Sequence, residues 1–418
     1  MGINRQERCM GCMKTLDWDG RCSNCGFDKS KYANHSRYLP LGTSLKKGEY
    51  MVGKVLGEGG FGITYIGFDR NLLSRVAIKE YYPKDFVRRD VSDGNHTINI
   101  CSDEYKDIYE KELSAFLEEA RILAQLAQME GIVNVRNLFQ ENGTAYIVME
   151  YVEGVSVRQY LQGQNKIEAG YVLEMMEQPI RALHAIHEKG FIHRDVSADN
   201  FIIGQNGKLT LIDFGAAHYL DVSGGKSQIT IYKEGFSAIE QYSPGGKLGP
   251  WTDVYGICAT MYYMMTGIIP QNPPERVVDD EVVSLEKIPE ILLDPRQKHS
   301  IMMGMSANIK ERFQNMEFLY NAIYGKSLAA NLERDSIFLK NNMSFVPNEN
   351  IRCSPADNLL TGISGEALQI SIEKTQQKRK KEYRKFVIKT IAKEMVSPQM
   401  INVWVQLLDN GIRKKYKF

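Results

Sequence analysis

The stretch from His193 to Gly215, HRDVSADNFIIGQNGKLTLIDFG, constrains this chain more than any other. Two apolar, strand-like runs, Phe201–Ile203 and Leu209–Ile212, flank a polar turn carrying Gly204, Asn206 and Gly207, a pattern that predicts a hairpin. A hairpin brings its ends together, so Asn200 at the entry is expected beside Asp213 at the exit. An amide oxygen next to a carboxylate is a pair of hard oxygen ligands, the kind Mg²⁺ takes alongside nucleotide phosphates. Asp195 precedes Asn200 by five residues, on the loop before the hairpin. It is placed to accept a proton from a hydroxyl approaching a metal-bound phosphate.

A second phosphate signal lies upstream, in Gly57-Glu58-Gly59-Gly60-Phe61-Gly62. A dinucleotide-binding fold needs such glycines to open a helix. Here the β-branched and aromatic run Ile63-Thr64-Tyr65-Ile66 follows, so the glycines turn a strand–loop–strand hairpin instead. Val76-Ala77-Ile78-Lys79 then reads as a strand ending in lysine. Residues 103–129 have a helical pattern, with Leu113, Phe116, Leu117, Ala120, Leu123 and Ala124 on one side.

His193-Arg194-Asp195 with Asn200, followed by Asp213-Phe214-Gly215, resembles the catalytic loop and metal-binding triplet of protein kinases. Either triplet alone is compatible with an ordinary polar loop and a buried aspartate; the two in order, at this spacing, are not. The resemblance covers residues 49–325. It implies an α+β, bilobal protein-kinase fold, with a β-rich N-lobe over 49–150 and a helical C-lobe over 151–325. It implies that Gly57, Gly59, Gly60 and Gly62 close bare backbone over ATP, and that Lys79 binds the α/β-phosphates. The helix segment Glu118-Glu119-Ala120-Arg121 resembles the one whose glutamate pairs with that lysine; alignment favours Glu119, with Glu118 and Glu112 as alternatives. Thr144–Gly154 resembles the inter-lobe hinge, with Met149 behind the adenine pocket and backbone groups of Glu150 and Val152 bonding the base. Asn200 and Asp213 are then the Mg²⁺ ligands and Asp195 the catalytic base. Ala238-Ile239-Glu240 stands for the family's Ala-Pro-Glu, with Arg312 as the partner of Glu240. The activation segment, 216–237, carries Ser223, Ser227, Thr230, Tyr232 and Ser237, and Arg194 beside Asp195 suggests a site for a phosphate on it. The extension Glu80-Tyr81-Tyr82-Pro83 resembles a bacterial branch.

One departure touches the chemistry. Two positions after the catalytic aspartate most serine/threonine kinases carry a lysine that neutralises the γ-phosphate, and this chain has Ser197. A pseudokinase scaffold that binds nucleotide without transfer is therefore one rival reading, and a kinase-like small-molecule phosphotransferase a second. Against the first, Lys79, Glu119, Asp195, Asn200 and Asp213 are all present. Lys226, Lys233 or Mg²⁺ alone could supply the missing charge. Against the second stand the Ala-x-Glu/Arg312 frame and the long activation segment. The expected reaction is transfer of the ATP γ-phosphoryl group to Ser or Thr of a protein substrate, the enzyme's own activation segment included.

Outside the kinase region, Cys9-x-x-Cys12 and Cys22-x-x-Cys25 lie within residues 1–33. Four thiolates converging from two tight turns, with Gly11 and Gly26, suit one structural Zn²⁺; a redox pair and stray thiols are the alternatives. About thirty residues cannot bury a core alone, so metal would supply the folding energy of this zinc ribbon. Residues 34–48 read as a linker. The cysteine distribution argues for a reducing compartment, and Met1–Arg8 is too polar for a signal peptide, so a cytoplasmic protein is expected. Val254–Ile269 is too short and Gly-interrupted for a membrane span and reads as a core helix. A net charge of +1 implies nothing global about partners. Locally the balance shifts: from Lys374 onward 13 Lys and Arg face 3 Asp and Glu. Tyr383, Val387, Ile391 and Met395 suggest an amphipathic helix there, and a second follows Ser397-Pro398 with Trp404, Leu407 and Leu408 inward, ending at Gly411. The extension 326–418 is read as a helical module whose basic face is solvated, or, more sharply, meets an anionic partner: membrane surface, nucleic acid or acidic protein.

Overall fold

The computed structural model describes residues 7–16, 21–90, 96–127, 129–163, 166–213, 232–243 and 246–328, with the backbone of 218–219. Phe214, Gly215, Ser223, Lys226, Ser227, Thr230, Cys353 and the whole basic tail from Lys374 lie outside the described residues.

The strands are β1 (Ser44–Leu45), β2 (Tyr50–Glu58), β3 (Gly62–Asp69), β4 (Ser74–Tyr81), β5 (Val87–Arg89) and β6 (Ile98–Ile100). Then come helix α1 (Lys106–Gln125), β7 (Val135–Glu141), β8 (Thr144–Glu150), β9 (Gly154–Ser156), α2 (Val157–Gly163) and α3 (Ala169–Glu188). The rest is β10 (Phe191–Ile192), β11 (Phe201–Gly204), β12 (Leu209–Leu211), β13 (His218–Tyr219), α4 (Pro250–Thr266), α5 (Pro273–Val278), α6 (Pro295–Gly304) and α7 (Met316–Tyr324). An antiparallel sheet, ordered β1-β2-β3-β4-β8-β7, forms the upper lobe, and α1 packs on it. Below it the helices α3, α4, α6 and α7 pack on one another. In α4 nearly every residue from Thr252 to Met265 is buried, so the apolar run is a core helix. It starts with Pro250 at its first turn and stops at Gly267, whose left-handed φ of 73° ends the helix.

Strand β3 is buried on both faces, which explains its unalternating apolar run. One face meets the main core through Ile63 and Tyr65; on the other, Ile66 and Phe68 pack with Met13 of the cysteine-rich segment. The Arg8 guanidinium lies 3.6 Å over the Phe68 ring, and the Lys54 amide donates to the Met10 carbonyl at 2.8 Å. The N-terminal segment therefore sits on the back of the upper sheet. Residues 34–48, expected as a linker, are packed as well. Leu39 and Leu45 are buried in the main core, the Leu39 amide donates to the Tyr65 hydroxyl at 3.1 Å, and Ser44–Leu45 adds a strand to the sheet. Two apolar side chains, Leu39 and Leu45, outweigh the polar composition of this stretch.

The Glu80-Tyr81-Tyr82-Pro83 motif has a structural role residue by residue. The Glu80 carboxylate, fully buried, accepts from Arg89 at 2.6 Å, Tyr65 at 3.0 Å and Tyr146 at 2.8 Å. Tyr81 packs against Tyr109 and Phe116 of α1, ring centroids 5.3 and 5.4 Å apart. Tyr82 lies under the Arg89 guanidinium, and the Phe86 amide turns back onto the Pro83 carbonyl. The motif thus anchors the β5–β6 hairpin between the sheet and α1.

Candidate active site

The β11–β12 hairpin forms in the expected register, with Phe201 opposite Leu211 and Ile203 opposite Leu209. Its turn is closed by the Gly204 amide on the Lys208 carbonyl and by Asn206, whose side chain accepts from the Lys208 amide. The two ends meet: the Ile212 amide donates to the Asn200 carbonyl at 2.8 Å. Asn200 in turn donates its side-chain amide to the carbonyl and to the carboxylate of Asp195, both at 2.8 Å. With its amide nitrogen so committed, the amide oxygen is the group left to ligate a cation. Asp213 has a left-handed backbone, φ 63°, unusual for a residue other than glycine. Its carboxylate forms an ion pair with Lys79. An amide oxygen and a carboxylate at the two ends of one hairpin fit the hard-oxygen shell of Mg²⁺.

The catalytic loop is held from below by Asp253, in the first turn of α4. This carboxylate accepts from the amides of His193 and Arg194, each at 2.8 Å, and contacts His187 Nε2 at 2.8 Å. Burial opposes its charge, but His187, His193 and the backbone amides outweigh burial and hold the Asp253 carboxyl below its usual range. Arg194 is left-handed too, φ 67°, and its carbonyl accepts from the Gln241 side chain at 2.7 Å. Asp253 directly precedes the apolar run Val254–Ile269, and reading that run as a core helix gave it no role of its own. Its role follows from where α4 begins, which no local signal around His193 carries. Burial pushes the Asp195 carboxyl above the ordinary carboxylate range, with Lys233 pulling it back down and Asp213 adding to the rise.

On the upper lobe Lys79 lies on β4, opposite Thr64 of β3 and Ile147 of β8. Its side chain is nearly buried. Burial disfavours its charge, but Asp213 and Glu119 outweigh that and raise its pKa. Of the three candidate helix glutamates, Glu119 is buried in α1, whereas Glu118 is ion-paired with Arg121 at the surface, 2.9 Å, and Glu112 is half-buried one to two turns earlier in the helix. The direct ion-pair partner of Lys79 is Asp213, however, and Glu119 reaches it only through the field. Burial drives the Glu119 carboxyl well above its usual range, with Lys79 pulling it back down and Asp213 adding to the rise.

In the glycine hairpin, Gly57 and Gly59 have open space where a side chain would stand, and the Gly59 amide closes the turn on the Gly62 carbonyl at 2.9 Å. Gly62 has a different reason: a Cβ there would meet the Glu80 carbonyl at 2.5 Å. Gly60 lies in the turn between β2 and β3. At the hinge, Met149 is buried and the Glu150 amide donates to the Asn134 carbonyl, so this amide is not available to a base edge. Val152 packs against the main core. In the lower lobe Glu240 and Arg312 form a doubly hydrogen-bonded buried pair, with Thr252 donating to the same carboxylate.

The four N-terminal cysteine sulfurs lie within 4.8 Å of one another, with Cys9–Cys25 at 3.6 Å and Cys12–Cys22 at 3.7 Å. Sulfurs about 2.3 Å from a tetrahedral Zn²⁺ stand roughly 3.8 Å apart, so the cluster fits that ion. Among the described residues it is the one group of three or more candidate ligands that comes together. Also among them, no helix is long and apolar enough to cross a membrane.

The chain matches the protein kinase domain family over residues 50–319. Among curated proteins it is similar to the serine/threonine-protein kinase PrkC of Bacillus subtilis, 28% identical over 227 residues, which are 53% of this chain and 31% of that protein. It is also similar to the serine/threonine-protein kinase F of Synechocystis, 27% identical over 250 residues, 56% of this chain and 46% of that one. PknA of Nostoc is 30% identical over 238 residues, 54% and 39% of the respective chains. This chain thus spans about a third to a half of the length of these relatives. Among solved structures, the apo form of PpkA-294 superposes with a TM-score of 0.57 at 27% identity, covering 69% of this chain and 100% of that one. With the hairpin, the Asp195–Asn200–Asp213 constellation and the buried Glu240–Arg312 frame, this match over most of the chain shows that the protein belongs to the protein kinase family.

Proposed function

We propose that this chain is a serine/threonine protein kinase that moves the γ-phosphoryl group of ATP to a protein hydroxyl. The observation that carries the reading is the bonded set at the hairpin mouth: Asp195 oriented by Asn200, Asn200 joined to Ile212, and Asp213 paired with Lys79. Asp195 orients the acceptor hydroxyl and takes its proton. Lys79 holds the α- and β-phosphates, and Glu119 supports its charge through the field. The glycine hairpin, with Gly57, Gly59, Gly60 and Gly62, lies over the triphosphate; the hinge at Glu150 and Val152 receives the adenine through its backbone. Mg²⁺, held by Asn200 and Asp213, would supply charge neutralisation between the phosphates. Cys9, Cys12, Cys22 and Cys25 would hold a structural Zn²⁺ in the N-terminal segment. A four-thiolate shell and an ATP substrate both suit the cytoplasm. Incubation of the pure protein with labelled ATP and Mg²⁺, followed by mapping of phosphorylated residues by mass spectrometry, tests the reading.

A further inference from the structure

The catalytic loop lacks a cation at Ser197, but the site itself has one. Lys233, from the far end of the activation segment, places its ammonium 2.9 Å from Asp195 Oδ1 and 3.1 Å from the Ser197 hydroxyl. It is held there by a rigid anchor. The Lys233 amide donates to the Ser237 hydroxyl at 2.7 Å, and its carbonyl accepts from the amides of Phe236 and Ser237 at 3.0 and 2.9 Å. Gly235, left-handed at φ 76°, makes the turn, and a Cβ there would meet the Pro270 carbonyl at 2.4 Å. Its amide donates to Asn272 at 2.7 Å. Phe236 is buried edge-on against Tyr263, with the Arg158 guanidinium 5.3 Å above it. The Lys233 stem thus leaves a fixed turn, and its head sits beside the carboxylate that must meet the acceptor.

We propose that Lys233 is a catalytic residue of this kinase: it delivers to the γ-phosphate the positive charge that Ser197 does not, with the Ser197 hydroxyl steering its ammonium. The inference rests on the phosphotransfer reading above. In the transfer, the acceptor oxygen bonds to the γ-phosphorus while the bond to the β-bridging oxygen breaks and its electron pair leaves with ADP. The acceptor proton passes to Asp195. Lys233 neither gives nor takes a proton; it neutralises charge on the equatorial oxygens, as preorganised cations do. Because the lysine belongs to the activation segment and not to the catalytic loop, the charge is in place only when the Lys233–Ser237 turn is docked. Docking of this turn and chemical competence are therefore one event in this chain.

The test compares full-length wild type, Lys233→Met, and the exchange Ser197→Lys with Lys233→Thr, using Mg²⁺-ATP and a Ser/Thr peptide. Thermal melting and binding of an ATP analogue are followed in parallel. Lys233→Met should lower kcat about 10²- to 10³-fold, the usual loss on removing preorganised charge stabilisation, with ATP-analogue affinity changed less than about threefold. The exchange variant should regain most of the lost kcat. Wild-type-like kcat in Lys233→Met overturns the inference while leaving the kinase reading intact. Loss without recovery in a folded, nucleotide-binding exchange variant also overturns it, because Lys233 then serves only to hold the segment. Absence of transfer by wild type itself overturns both readings.

Discussion

Asn200 gives both hydrogens of its side-chain amide to Asp195, one to the carbonyl and one to the carboxylate, each at 2.8 Å. One residue can therefore orient the proposed base and still offer its amide oxygen to a cation at Asp213. Asn200→Ala removes both functions at once. It should lower kcat by at least about 10²-fold, while the lost hydrogen bonds cost roughly 1–2 kcal/mol of stability. Urea unfolding and steady-state kinetics on the same preparation separate the two effects. A kcat within a few-fold of wild type would remove Asn200 from the metal and positioning roles.

Glu240 and Arg312 meet in the lower lobe, both side chains essentially without solvent contact. Arg312→Ala leaves a carboxylate buried with only Thr252 as a side-chain partner, so it should destabilise the lower lobe by about 3–5 kcal/mol. The replacement of both partners, Glu240→Gln with Arg312→Met, should cost less than Arg312→Ala alone. Equilibrium unfolding of the three proteins reads this directly, and an equal cost for single and double variants would contradict the buried-charge argument.

Elemental analysis should find about one equivalent of zinc per chain. Cys22→Ser with Cys25→Ser should release it. Because the cysteine segment packs through Met13 on Ile66 and Phe68, release should also lower the melting temperature of the upper lobe. Retention of zinc by the double variant would assign the metal to other ligands.

The acid side of the pH–rate profile follows from Asp195. Burial raises its pKa, and below that pKa the carboxyl is protonated and cannot take the acceptor proton. Activity is therefore lost as pH falls, and the midpoint in kcat/KM, which reports the free enzyme, should lie above the ordinary carboxylate value of about 4. An acid limb at or below that value would contradict a buried base.

The juxtaposition of Asn200 and Asp213 was legible in the sequence because a hairpin forces its ends together: once Phe201–Ile203 and Leu209–Ile212 are read as strands, Asn200 must lie near Asp213. The apolar run after Pro250 likewise announced a core helix. Long-range pairings were not legible to the same degree. Lys79 was expected to be held by Glu119, yet its ion pair is with Asp213, the residue that follows the β11–β12 hairpin, a pairing that joins residues 134 positions apart and that no local pattern around Lys79 carries. The Glu80-Tyr81-Tyr82-Pro83 motif was visible only as a resemblance. Its meaning lies in Arg89, Tyr65, Tyr146 and Tyr109, brought to it by three different elements. The stretch 34–48 looked like a tether because its composition is polar, while two leucines decide its packing.

The central claim is tested most directly by phosphate mapping on two proteins, wild type and Asp195→Asn, each incubated with labelled ATP and Mg²⁺. Asp195→Asn should keep its fold and its nucleotide affinity, since the change removes a charge from the base and leaves Lys79 and the glycine hairpin untouched. The account predicts label on serine and threonine in the wild type, the activation segment included, with none on tyrosine, and a loss of orders of magnitude in Asp195→Asn. Equal labelling of the two proteins, or no labelling of either, would contradict it.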